Sequence, residues 1–424
     1  MALMGHPSSS AFLSFITSTL ADLDEKFPRS RLWGPRSVFL AVILLTRPRR
    51  RTTYRSLMQS FVADTAAALG FVKRPALSGL SQARKLLTVG SCRKILRALA
   101  ARLESMTPKR FLHPSGRRFI GIDGVRFITR RTKETKKRFH MASASRWVHS
   151  HCPQAIVVVA VDLMRRLPLD FALLSKGTGE RAGAKSLLSH FRPRDVAVMD
   201  RGFPAKWLLA DFIAAKVDLV VRMTAGMTAW TEVDAFIRSK KLEQVVTMQL
   251  GKNGPTATVR LIRRPFRRGR PARGQKVETQ IILTTLPATE FDREEIIKLY
   301  AARWGIETIF REMKCEFEAE RFHSHSVNGI IQEIAAVLAW IGFASAVQLT
   351  AENQLPDGRR VLRTLCFDEA ARLMEAVIAG RDHEPIFAQA IENVSRYHYA
   401  PKKGRSYPRE RKSPIGRFSV RRAK

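Results

Sequence analysis

Three short apolar runs constrain this chain most. Arg118-Phe-Ile-Gly-Ile-Asp123 and Asp195-Val-Ala-Val-Met-Asp200 each close on an aspartate, and Ala155-Ile-Val-Val-Val-Ala-Val161 lies between them. Glu180–Phe191 has helical spacing, and Pro204 opens a further helix after the turn Arg201-Gly202-Phe203. Alternating strands and helices imply an α/β core. Open α/β sheets place their sites at the carboxyl ends of strands. Asp123 and Asp200, both read as ending strands, are therefore candidate site residues. Either one alone could equally be an aspartate capping a turn.

A third carboxylate comes from Tyr300-Ala-Ala-Arg303-Trp-Gly-Ile-Glu307-Thr-Ile-Phe-Arg-Glu-Met-Lys314. At about 100° per residue, Tyr300, Arg303, Glu307 and Lys314 fall within roughly 60° of one another on a helix. One face then carries a metal-competent carboxylate flanked by phosphate-binding groups. Asp292-Arg-Glu-Glu295 has the form of a capping box that starts this helix, and Gly305 marks where it would bend. The same spacing also describes an amphipathic surface helix with one Arg303–Glu307 pair.

Charge separates these readings. Lys and Arg number 74 against 37 Asp and Glu, a formal net charge of +37. Such an excess repels itself in the folded state and calls for a polyanionic partner. Nucleic acid is the first candidate, because each neutralised phosphate releases a counterion. A membrane surface is the second, but the apolar stretch from Ile334 to Leu349 is shorter than the ~20 residues of a span. The N-terminal sequence lacks the layout of a signal peptide. A cytoplasmic, nucleoid-associated protein bound to double-stranded DNA is the expectation.

The remaining sequence divides by style. Residues 1–110 read as a helical DNA-binding domain, with apolar spacing over Phe12–Leu23, Val38–Leu45, Tyr54–Leu69 and Cys92–Leu103. Arg47-Pro-Arg-Arg-Arg51 breaks two of these helices, and Ser78 would cap a helix carrying Arg84 and Lys85. A helix-turn-helix and a plain bundle with a basic rim both fit. Residues 111–218 and 288–350 read as two halves of a catalytic core, with Arg130–Arg138 a basic turn or strand edge. Between them, residues 219–287 read as a β-rich insertion with strands at Leu219–Met223, Val245–Leu250, Thr256–Ile262 and Val277–Thr285. Arg263–Lys276 holds seven basic residues and no acid, and reads as an exposed loop over a polyanion. Residues 351–424 read as a helical segment, Asp368–Ile378, and a disordered tail. In its last 24 residues the tail has ten Lys or Arg and one Glu.

Two aspartates at strand ends and a later glutamate on a helix match an RNase H-like catalytic plan. Hydrolysing a phosphodiester needs an activated nucleophile and charge neutralisation at both in-line oxygens, which two Mg²⁺ ions supply. Mg²⁺ prefers oxygen ligands and keeps several waters, so Asp123, Asp200 and Glu307 suffice as metal ligands.

The spacing Y-x2-R-x3-E-x6-K of Tyr300, Arg303, Glu307 and Lys314 resembles the signature of the insertion-sequence-4 family of bacterial DDE transposases. Ile122-Asp123-Gly124 resembles that family's first-aspartate motif, and Val198-Met-Asp200-Arg201-Gly202-Phe203 its second. The resemblance covers roughly residues 110 to 350. It implies Mg²⁺-dependent cleavage at transposon ends and strand transfer into target DNA, with Mn²⁺ a possible substitute for Mg²⁺. Arg201 would hold phosphate, while Tyr300, Arg303 and Lys314 position the DNA end. Arg264, Arg267 and Arg268 of the basic segment join the expected DNA contacts. Trp230 and Phe266 are candidates for stacking a flipped base. Joining two ends needs two active sites, so a homodimer on DNA is expected.

Rival motifs are incomplete. Gly179-Glu-Arg-Ala-Gly-Ala-Lys185-Ser186 misses the P-loop pattern at Ala184, and Glu180 would repel phosphate. No His-x-x-Arg accompanies Tyr300 as a tyrosine recombinase would require, and no His-Glu-x-x-His occurs. Cys92, Cys152, Cys315 and Cys366 form no CxxC pair, and Cys315 with His323 and His325 makes at most a zinc half-site. A non-enzymatic basic DNA-binding protein would need the cations but not three acids set among them.

Overall fold

A computed structural model describes residues 33–49, 52–60, 76–141, 143–145, 148–224, 230–251, 254–266, 278–378, 384–401 and 420–422. At its centre is one eight-stranded sheet. Its strands are β1 (Phe119–Ile128), β2 (Gln154–Asp162), β3 (Leu167–Leu173), β4 (Val196–Met199), β5 (Asp218–Met223), β6 (Glu243–Gln249), β7 (Thr256–Phe266) and β8 (Glu278–Thr284). They lie side by side in the order β3-β2-β1-β4-β5-β8-β7-β6. β1, β4 and β5 are mutually parallel, and every other neighbour is antiparallel. The fold is therefore a mixed α/β sheet, and the first five strands fit the RNase H-like core expected from the sequence. All of β2 is buried, as its unbroken apolar run requires of a strand covered on both faces.

The β-rich region does not form a sheet of its own. β8 pairs with β5 and carries the same sheet onward through β7 and β6. It also contains a helix, α8, which the strand-rich reading missed. The helices are α1 (Pro35–Leu45), α2 (Tyr54–Ser60), α3 (Leu77–Leu86), α4 (Val89–Ser105), α5 (Lys133–Arg138), α6 (Glu180–Leu187), α7 (Lys206–Ala214), α8 (Thr231–Ser239), α9 (Arg293–Ala302), α10 (Trp304–Cys315), α11 (Val327–Asn353), α12 (Arg363–Ile378) and α13 (Glu384–Arg396). α5 replaces the expected turn at Arg130–Arg138, because Thr132 accepts from Thr135 N and caps it. Phe12–Leu23 and the later part of Tyr54–Leu69 lie outside the described residues.

α11 is hydrophobic all round, as a helix enclosed by protein must be. Its length and composition would suit a membrane span, yet 94% of its apolar window is buried inside the protein. It contacts α1, α4, α12 and α13 as well as β3. One continuous hydrophobic core runs from α1 through α11 to α13, so the N-terminal helices share it with the sheet. Asp170 on β3, fully buried, binds Arg93 and Arg97 of α4 and His190. Burial opposes its charge, but hydrogen bonds from His190 and Arg93 outweigh that and hold the carboxyl at about 2.

Several basic groups expected to face DNA are tied down instead. Arg84 of α3 is buried and pairs with Glu333 on α11. α3 starts after Ala76 with no side-chain cap, so Ser78 does not serve as the expected cap. Arg47 pairs with Glu375, and Arg49 with Glu316 and Asp368, stapling that basic break to the C-terminal half. Part of the tail is ordered: Val420–Arg422 pairs antiparallel with Val148–Ser150, against the disorder expected there. Residues 402–419 and 423–424 are outside the described set.

Candidate active site

β1 and β4 run in parallel, with Ile122 level with Met199 as their last pair. Asp123 and Asp200 follow directly, so the two aspartates sit next to each other. Asp123 does not end its strand, however. β1 continues to Ile128 along β2, while β4 stops at Met199. The sequence suggested a strand end because polar Asp123-Gly124 interrupts the apolar run. The consequence is an opening beside β1 where its neighbour has ended.

Each aspartate is fixed by backbone. Asp123 Oδ1 accepts from Gly124 N at 2.8 Å, and Asp200 Oδ1 accepts from Gly202 N at 2.7 Å. The second bond closes a tight turn that Phe203, fully buried, anchors beneath. Arg181 Nε of α6 donates to Gly202 O at 3.1 Å and holds the turn from outside. Arg201 is exposed on this turn.

Glu307 arrives by close packing. A β-carbon at Gly121 would lie 2.3 Å from Ile306 Cδ1 and 2.8 Å from Leu163 Cδ2. Only glycine at that strand position lets α10 rest on β1 and bring Glu307 level with Asp123. The carrier is not one helix bent at Gly305. The break falls at Arg303, so Tyr300 lies in the last turn of α9 while Glu307 and Lys314 belong to α10. The one-face arithmetic therefore holds along α10 but not back to Tyr300. Asp292 caps α9 by accepting from Glu295 N, but the Glu295 carboxylate meets His113 rather than completing a capping box.

Arg303 sits between the acids. Its Nη1 donates to Asp123 Oδ2 at 3.0 Å and its Nη2 to Glu307 Oε1 at 3.1 Å. Burial opposes the Arg303 charge, yet Tyr300, Asp123 and Glu307 outweigh it and raise its pKa. Asp123 is pushed up to about 6, chiefly by burial. Arg303 and the Gly124 amide oppose this, and Asp200 and Glu180 add to it. Two carboxylates thus already converge on one cationic group, with further negative charge nearby. An oxygen-only donor set of this kind suits a hard divalent cation. Among the described residues, no three His, Cys, Asp or Glu stand close enough to hold a metal ion with the side chains as placed. Arg303 bridges Asp123 and Glu307 through its two Nη groups and so stands where a cation shared by those two carboxylates would lie.

Tyr300 is buried, with Arg303 over its ring at 5.8 Å and Arg264 at 6.0 Å. Burial raises the Tyr300 phenol, while Arg303 and Arg222 pull it down. Arg264 thus belongs to β7 beside the site, not to an exposed loop, and burial lowers its pKa. Arg222 of β5 joins it there, a cation the sequence reading missed because it sits inside an apolar strand. Arg263 is also on the strand and donates to Phe236 O, Ile237 O and Lys241 O. Arg267 and Arg268 lie outside the described residues.

Lys314 stands apart from the trio. Seven residues beyond Glu307 on α10, it pairs with Glu320 at 3.3 Å and lies 5.7 Å from the Phe127 ring. Trp230 cannot stack a base: it is 2% exposed, part of the core at the start of α8. Lys185, in the P-loop-like segment, is exposed and pairs with Asp211 at 2.9 Å. His323 binds Glu333 and Thr52 O, which removes the zinc half-site.

A sequence model of the family described as "Transposase DDE domain" matches residues 114–341. A solved structure described as "Cryo-EM structure of piggyBac transposase synaptic complex with hairpin DNA (SNHP)" is similar with a TM-score of 0.43 and 11% identity, covering 95% of this chain and 85% of that one. No curated protein matches. The family match takes in more than half of the chain, from just before β1 to the middle of α11, and includes Asp123, Asp200, Arg303 and Glu307. The chain belongs to the DDE-domain transposase family and is a transposase.

Proposed function

We propose that this transposase cleaves DNA at the ends of its mobile element and joins those ends to target DNA, using Mg²⁺ held by Asp123, Asp200 and Glu307. The observation that carries this is the placement of Arg303 between Asp123 Oδ2 and Glu307 Oε1, beside the end of β4. It sets two acids around one cationic group, next to Asp200. When bound, two divalent ions neutralise the phosphate oxygens on both sides of an in-line displacement. Mn²⁺ serves as a substitute.

The protein's own residues bind and orient the DNA. Arg303, displaced from the acids, is within reach of a phosphate next to them. Arg222 and Arg264, gathered around Tyr300, extend that positive wall. Arg201 offers an exposed guanidinium at the Asp200 turn. Lys314 contacts the strand further along α10. The spacing of Tyr300, Arg303, Glu307 and Lys314 supports membership of the insertion-sequence-4 group, and with it a bacterial cell in which the protein works on the nucleoid.

Each chain carries one trio, and two ends must be joined, so a homodimer forms on DNA. The charge of +37 on each copy opposes association until DNA neutralises it. The N-terminal helices and the basic tail contribute phosphate contacts.

The test is incubation of purified protein with the inverted repeats flanking its gene. Cleavage that needs Mg²⁺ and is lost in Asp200→Asn with DNA binding kept is the expected result. Equal cleavage by Asp200→Asn would overturn the reading. Mass measurement of the end complex should give two protein chains.

A further inference from the structure

The segment that resembles a P-loop has a different employment. Gly183 lets α6 lie directly on the sheet: a β-carbon there would be 2.6 Å from Val158 Cγ2 and 2.9 Å from Leu174 Cδ2. Val158 is the register partner of Gly124. The helix therefore crosses the sheet beside the residue that follows Asp123. One turn before Gly183, Glu180 reaches down onto that spot. A β-carbon at Gly124 would lie 2.6 Å from Glu180 Oε1 and 2.7 Å from its Cδ. Two glycines, one on the helix and one on the strand, make room for one carboxylate next to Asp123.

The location matters because successive strand residues face opposite sides of a sheet. α10 packs on the side of Gly121 and Asp123, and α6 on the side of Gly124. Ordinarily the sheet would separate them. Here β4 ends at Met199 while β1 continues, so beyond Met199 that neighbour no longer separates the two faces beside β1. The neighbouring Arg181 binds Gly202 O and draws the Asp200 turn to the same place.

Charge gives the second argument. Lys and Arg outnumber acids two to one in this chain, 74 to 37. Yet among the described residues the Glu180 side chain has no hydrogen-bond or ion-pair partner. Folding alone gains nothing from a third acid at that point except a modest interaction with the start of α6.

We infer that Glu180 is a fourth carboxylate of the divalent-cation centre, entering from the opposite face of the sheet to Glu307. This rests on the reading of Asp123, Asp200 and Glu307 as metal ligands. Mg²⁺ keeps several of its waters, so Glu180 can act directly or through one of them.

Mn²⁺ binding to the full-length protein without DNA tests this, by calorimetry and by the rise in unfolding midpoint on adding metal. Glu180→Gln should weaken Mn²⁺ binding about tenfold, as loss of a ligand's partner group typically does. Its metal-free midpoint should stay or rise, because a repulsive charge has gone. Gly124→Ala keeps every carboxylate but pushes Glu180 away, and should weaken binding in the same direction. Asp200→Asn is the reference. If it weakens binding while Glu180→Gln and Gly124→Ala stay within twofold of the parent, the Glu180 assignment is wrong and the trio stands. If Asp200→Asn also leaves binding unchanged, the trio itself is wrong, and Glu180 falls with it. A lower metal-free midpoint in Glu180→Gln with unchanged Mn²⁺ affinity would make Glu180 a helix-end residue only.

Discussion

Ile306 occupies the space that any side chain at residue 121 would need. Its Cδ1 lies 2.3 Å from where a β-carbon on Gly121 would stand. This contact fixes the height of α10 over β1, and Glu307 is the next residue along. Overpacking a well-filled contact costs about 1–3 kcal/mol. Gly121→Ala should therefore lower stability by that amount in urea unfolding and reduce cleavage further than stability explains. Ile306→Val removes the clashing methyl, so the double variant should recover part of both losses. A single variant as stable and active as the parent would show that α10 can slide freely.

Asp123 gives a pH signature. Its carboxyl is pushed from 3.8 to about 6, mainly by burial. The folded state then holds this proton more tightly than the unfolded chain. The stabilisation is full below about pH 4 and fades as pH rises through about 6, amounting to about 3 kcal/mol in total. Metal-free protein should lose this contribution over that window, and Asp123→Asn should flatten the loss. Metal needs the ionised carboxylate, so the Mg²⁺-induced rise in midpoint should grow with pH across the same range. Cleavage should fall as pH drops through about 6, and excess Mg²⁺ should move that limb to lower pH. A cleavage profile flat from pH 5 to 8 would contradict the assignment.

Arg84 and Glu333 tie the N-terminal helices to α11. They pair at 3.0 Å with both side chains nearly out of solvent. Burial works against the Glu333 charge, but His323 and Arg84 more than offset it and lower its pKa. Removing one partner of a buried pair leaves an uncompensated charge, which costs about 3–5 kcal/mol. Arg84→Met should be destabilised by that much in chemical unfolding, and adding Glu333→Gln should restore part of it. A loss of only DNA affinity, with stability unchanged, would return Arg84 to a recognition role.

The legible parts of the sequence were those where one chemical property decided the structure. The unbroken apolar run of β2 could only be a covered strand, and the apolar α11 only an enclosed helix. The strands that escaped detection carry the wrong chemistry for their place. β3 reads Leu-Pro-Leu-Asp-Phe-Ala-Leu, with a proline and a charge. Pro168 is tolerated because β3 is an edge strand and its pairing shifts at Val161. Asp170 is tolerated because Arg93, Arg97 and His190 arrive from distant positions. Arg263 and Arg264 hid the end of β7 in the same way. At the site, the acids were legible as types in order. Their meeting depended on two glycines in β1, Gly121 and Gly124. An isolated glycine in a strand signals close approach of another element, and that signal was present but says nothing of which element comes. Glu180 was read only as an obstacle to phosphate, since the sequence does not show that α6 crosses beside Asp123.

The basic regions separate structural from electrostatic cations. Arg263 donates to three backbone carbonyls around the end of α8, so its charge serves the fold. Two of those bonds are half-buried and one is exposed, so losing them should cost about 1 kcal/mol. Arg263→Ala should therefore lower stability and leave the salt dependence of DNA binding almost unchanged. The tail differs. Its last 24 residues hold ten cations and a single acid, and its first described residue, Pro401, is exposed. Deleting residues 402–424 should leave the unfolding midpoint nearly as it was, apart from the short pairing with Val148–Ser150. It should reduce the slope of log affinity against log salt by about 0.9 for each phosphate contact removed on duplex DNA. Filter or gel-shift binding across a salt series measures that slope for both variants. A steeper loss of slope in Arg263→Ala than in the truncated chain would reverse the assignment, making the β7 cations the main phosphate contacts and the tail a bystander.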